Sequence, residues 1–132
     1  YLNNLITDTH FNNPDRRGRL VTFMARMAKD DGILPYGVGV DEATAVCINN
    51  DGSSRIYGAG FAFFLRQNTS SGTPERCVSG SSLDWYRSRQ AVRCYKVAGT
   101  TGGSNTFNFS SWTGTGGSTQ YYYVDYGTFG IY

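Results

Sequence analysis

The sequence predicts an α/β fold, and three observations carry that expectation. A short apolar run from Leu5 to Thr7 has the length of a buried strand. A capped segment over 14–30 follows it with helical spacing of its apolar residues. Two β-branched runs, Tyr36 to Val40 and Thr44 to Ile48, come directly after. Strand, helix and strands in that order look like a piece of an α/β sheet.

Each element has a local reason. Asn13-Pro14-Asp15 is a helix start in which Asn caps, Pro takes the first position and Asp suits the positive helix end. Leu20, Val21, Phe23, Met24, Met27 and Ala28 then form one apolar face, and Asp31-Gly32 with Pro35 ends the helix. Asn49-Asn50-Asp51-Gly52 between apolar runs predicts a hairpin leading to Arg55-Ile56-Tyr57 and Phe61 to Leu65. A polar loop over 67–82 precedes a strand from Ala91 to Val97. Residues 99–119 are Gly, Ser, Thr or Asn at 18 of 21 positions, a composition that suits a flexible linker. The embedded Phe107, Phe109 and Trp112 argue instead for an ordered β hairpin. The expected division is an α/β part over 1–66 and a Gly/Ser/aromatic-rich β extension over 67–132.

Composition narrows the function classes. The 132 residues carry 12 Lys plus Arg against 10 Asp plus Glu, so no nucleic-acid footprint is expected. No apolar stretch nears the roughly 20 residues of a membrane-spanning helix, and no membrane partner is expected. One histidine and three separated cysteines form no zinc constellation, and no glycine loop suits a phosphate, so neither metal nor cofactor is expected. Two N-glycosylation acceptors, Asn68 and Asn108, together with few lysines and possible disulfides, suggest an extracellular protein. The odd cysteine count leaves one thiol free or paired with another chain. Cys77 and Cys94 are the candidate disulfide, and Cys47, inside an apolar strand, is expected to be buried.

His10 is the only histidine, between a strand and a capped helix, where open α/β sheets hold ligands and catalysts. Arg16, Arg17 and Arg19 follow in the first helical turns, with Arg16 and Arg19 on one face. Cations there oppose the helix dipole, so they look set to receive an anion such as a carboxylate. Asp41-Glu42 either orients a histidine or merely ends a strand.

Asp8-Thr9-His10-Phe11 with Arg16 and Gly18-Arg19-Leu20, followed by Gly37-Val38-Gly39-Val40-Asp41-Glu42-Ala43-Thr44-Ala45, closely resembles the cyanophycinase-like serine peptidases. The likeness covers residues 1 to about 65. It implies the C-terminal half of a three-layer α/β/α, flavodoxin-like sheet of the class I glutamine amidotransferase kind, with an antiparallel β extension. It also implies hydrolysis of an amide bond in a peptide substrate beside an acidic, β-aspartyl-type residue. His10 would be the general base and Glu42 the carboxylate orienting it, while Asp8, Thr9, Arg16 and Arg19 would bind substrate. Thr9 and Pro14 stand where cyanophycin-degrading members carry Gln and Arg, which argues against that polymer as substrate. The family's nucleophile elbow precedes the His block. The expectation is therefore a secreted, processed C-terminal chain whose partner, the N-terminal chain of the same precursor, carries the serine. The alternative is a catalytically dead relative acting as an extracellular binding or structural protein, supported by nine aromatics in the last 26 residues.

Overall fold

The computed structural model describes residues 2–70 and 72–132. In chain order its elements are β1 (Leu5–Thr9), α1 (Arg17–Asp30), β2 (Tyr36–Val40), β3 (Thr44–Ile48), β4 (Ser53–Gly58), β5 (Phe61–Gln67), β6 (Val92–Ala98), β7 (Asn105–Asn108), β8 (Thr113–Thr115), β9 (Gly117–Asp125) and β10 (Thr128–Ile131). A six-stranded sheet runs β1-β2-β5-β6-β9-β10, and a four-stranded sheet runs β3-β4-β7-β8.

This architecture overturns the expected three-layer α/β/α, flavodoxin-like sheet. Strand accounts for 45% and helix for 13%, and both sheets are rich in antiparallel pairs. The physical reason lies in the connections. Among the described residues only β1 and β2 are joined through an α-helix, and theirs is the one parallel pair of strands. The later links are mostly too short to carry the chain back for a parallel neighbour, so they close antiparallel pairs. At Asn49–Gly52 the turn is held by Asn49 N–H on Ser53 O (2.8 Å) and Gly52 N–H on Asn49 O (3.0 Å). Gly52 has φ 84, which glycine adopts freely.

The six-stranded sheet has a core on each face. On one, α1 contributes Leu20, Val21, Met24 and Ala25 against Phe63, Leu65, Cys94 and Tyr122, while Trp85 and Cys77 come from the loop before β6. On the other, the four-stranded sheet covers Val38, Ala62, Phe64 and Val97 with Ile56, Phe107 and Phe109. β5 reads Phe61-Ala62-Phe63-Phe64-Leu65 because its alternate residues supply the two cores. Strands on both sides of residue 66 build this one sheet.

The glycines of β2 permit the helix-side packing. A Cβ at Gly39 would lie 2.4 Å from the Phe11 ring, and one at Gly37 would lie 2.9 Å from Met24 Sδ. The helix begins at Arg17 rather than at Pro14, with Arg16 as its cap residue. Arg16 N–H is already committed to Phe11 O (2.9 Å), so Asn13 to Asp15 form a turn before the helix. Asp15 still serves the helix start, accepting from the Arg17 N–H at 3.2 Å. The 99–119 stretch is ordered: β7 and β8 pair as a hairpin, and Phe107 and Phe109 are buried.

Candidate functional site

β1 is the edge of the six-stranded sheet, and its carboxyl end is pinned from one side. Thr9 is the register partner of Val40, and the Phe11 N–H donates to Val40 O at 3.1 Å. Phe11 is fully buried beneath, so His10 between them turns outward in the left-handed region, with φ 50. A non-glycine residue there is uncommon, and the conformation persists only where its surroundings dictate it. Asp41 supplies part of that dictation. Its carboxylate accepts the Asn12 N–H at 3.0 Å and the Phe61 N–H at 3.1 Å, tying the loop after His10 to the start of β5.

Glu42 is exposed just beyond, and the Thr44 hydroxyl holds its backbone carbonyl at 3.2 Å. His10 and Glu42 thus stand past the carboxyl ends of neighbouring parallel strands. No hydrogen bond or ion pair among the described residues engages either side chain. Asp41 therefore has the holding role, and its one signal in the sequence was an Asp directly after the run Tyr36 to Val40.

The predicted pocket cations separate. Arg19 grips Asp8 through one guanidinium edge, Nε donating to Oδ2 at 3.0 Å and Nη2 to Oδ1, and the Asp8 side chain is 9% exposed. This hydrogen bond raises the Arg19 pKa above its ordinary value. Arg17 is held by Asp15 at 2.6 Å, and that bond lowers the Asp15 pKa. Arg16 is engaged only through a 3.4 Å donation from Nη1 to Thr9 O, leaving most of its donors available. Thr9 is exposed at the end of β1.

Along the open edge of β1 lies an apolar groove of about 230 Å³, bounded by Leu5, Val40, Ala45, Val46 and Ile48. Threonines 7, 9 and 44 line it, and no serine does. Ser54 is buried and donates to Phe107 O at 2.7 Å, and Ser53 donates to Asp51 at 2.6 Å; both are turn and strand fittings. All three cysteines are free, so the Cys77–Cys94 disulfide is not formed, although both sulfurs belong to the helix-side core. Cys47 is exposed, not buried, because β3 is an edge strand and alternation turns Val46 inward and Cys47 out. Burial pushes the Cys94 thiol up to about 12 and raises the adjoining Tyr122 hydroxyl as well. The Asn108 carboxamide oxygen accepts from Ser110 (2.9 Å) and Ser111 (3.0 Å), and Asn68 is half-buried after β5.

Neither a family model nor a curated protein matches this chain. The likeness to cyanophycinase-like peptidases rests on the two sequence blocks alone.

Proposed function

We propose that this chain supplies the general base of a serine-type amide hydrolase, acting on a peptide bond next to an acidic, β-aspartyl-type residue. The nucleophilic serine comes from a partner polypeptide seated along the β1 edge, and the assembly is secreted. The observation that carries this reading is His10 itself: an unengaged imidazole, held outward by a buried neighbour, at the carboxyl end of a strand in a parallel strand–helix–strand unit. Ligands favour that end of such units. Nε2 or Nδ1 would take the proton of the attacking serine and return it to the leaving amine, with Glu42 approaching to stabilise the imidazolium. Arg16, with most of its donors available, would hold the substrate carboxylate.

The edge supports a bound partner. An edge strand offers a row of unpaired backbone groups, and the apolar groove beside it is what a docked strand would cover. The assay is hydrolysis of a β-aspartyl dipeptide by the assembled protein. His10→Ala is expected to remove turnover while the two polypeptides still co-purify; unchanged turnover would refute the assignment.

A second reading, an extracellular binding protein without activity, has one observation in its favour. The Asp8–Arg19 pair closes upon itself and takes two of the four expected substrate contacts out of play.

A further inference from the structure

We infer a second site, an acidic-carbohydrate site, on the face of the six-stranded sheet that carries the four-stranded one. Register alone brings its parts together. Tyr36 is the partner of Arg66, Arg66 of Arg93, and Arg93 of Tyr121. Residues directly opposite share a face, so these four side chains form one row across β2, β5, β6 and β9, with strands about 4.8 Å apart. The row lies one step beyond Val38, Phe64 and Tyr95, on the same face. Trp112 closes over its β2 end, with its ring 4.4 Å from Tyr36 and 6.5 Å from Phe64.

Two guanidiniums opposite one another are unfavourable to a sheet, so strand pairing does not account for them. Neither makes an ion pair or hydrogen bond among the described residues, and Arg66 Nε is buried without a partner. The recesses around Tyr36, Arg66, Trp112 and Arg93 have no Asp or Glu in their walls. Positive charge has thus been gathered, partly desolvated and left without an internal counter-charge. An anion from outside completes it, because guanidinium forks grip carboxylate or sulfate bidentately.

The remaining walls say what carries the anion. Trp112 and Tyr36 offer half-buried rings, and Thr113 and Thr119 add hydroxyls beside Arg93. Rings for the C–H face of a sugar, hydroxyls for its alcohols and arginines for its acid group together fit a pyranose bearing a carboxylate or sulfate. Trp112 also sits at φ 55, a left-handed conformation that its turn must hold in place. The site is separate from His10: the row lies level with Leu5, and Leu5 to Thr9 spans about 13 Å of strand. It does not depend on the hydrolase reading.

The test is a titration of the protein with a sulfated, glucuronate-containing disaccharide, followed by the indole and guanidinium NMR signals. Its neutral, carboxyl-reduced and unsulfated counterpart and inorganic sulfate serve as comparisons. Saturable shifts at Trp112 and Arg93 with the acidic sugar, weakened about tenfold by Arg93→Gln and by Arg66→Met, are the expected result. Arg93 is exposed, so its variant reads the site without disturbing the core, and Lys96→Gln, at the other end of β6, leaves binding unchanged. Equal binding of the neutral sugar, identical Trp112 shifts with sulfate alone, or no shift at all would each overturn the proposal.

Discussion

Around the four-stranded sheet, the large rings find partners. Phe64 lies flat on Phe107 with centroids 3.7 Å apart, and Phe109 and Trp112 meet them edge to face. At the β1 edge the pattern reverses. The backbone is pinned by Phe11, Asp41 and the β2 register, yet among the described residues the His10 and Glu42 side chains have no hydrogen bond or ion pair. The contrast separates two tasks. Antiparallel strands and stacked aromatics provide stability, while the single parallel unit presents polar groups at an open edge.

The largest effect should come from the stacked half. Phe64→Ala removes a fully buried ring that touches Phe107, Phe109 and Trp112, and is expected to cost about 3–5 kcal/mol in urea unfolding. A cost below about 1 kcal/mol would dissolve the contrast. At the parallel unit, Gly39→Val drives a side chain into the Phe11 ring, and a loss of about 1–3 kcal/mol or more is expected. It should also cut activity, because Phe11 fixes the backbone on which His10 stands. Full activity with normal stability would show that Phe11 does not position His10.

Cys94 sharpens the helix-side core. Its folded pKa is raised from 9.0 to about 12, so the folded state keeps a proton that the unfolded chain gives up. The stability this provides is complete below pH 9 and is lost as pH climbs from 9 towards 12. Between pH 9 and 10.5, Cys94→Ala should lose stability less steeply than the parent, by about 0.7 kcal/mol per pH unit at pH 9 rising towards about 1.4 at pH 10.5. A thiol reagent should label Cys47 alone in the native protein and all three cysteines after unfolding. A single reactive thiol after unfolding would mean that Cys77 and Cys94 are bonded.

The smallest stability effect should sit at the site itself. His10→Gly relieves a left-handed non-glycine residue, so the protein should be equally stable or gain up to about 1 kcal/mol. Turnover should nevertheless vanish. A marked loss of stability would mark His10 as a structural residue.

Much of the local structure was legible in the sequence. The apolar run at Leu5, the periodicity from Leu20 to Ala28 and the aromatics inside 99–119 each marked an element that the structure contains. The fold class was not legible, because one strand–helix–strand unit weighed too heavily against eight later strands joined largely by turns and hairpins. Asp8 and Arg19 were both expected to face a substrate. Spacing brings two charges to one place without saying whether they face a ligand or each other, and here they pair. The arginine row was missed although period-2 alternation in Phe61 to Gln67 and Val92 to Ala98 already put Arg66 and Arg93 on one face. Which strands lie side by side is what sequence periodicity does not contain.

In the proposed reaction His10 activates a serine of the partner polypeptide. Its most direct test is labelling of the assembled protein with a fluorophosphonate, followed by mass analysis of the modified peptide. The label is expected on a serine of the partner polypeptide in the parent protein, and at least a hundredfold more slowly in His10→Gln. Labelling at the same rate in both, or no labelled serine at all, would contradict it.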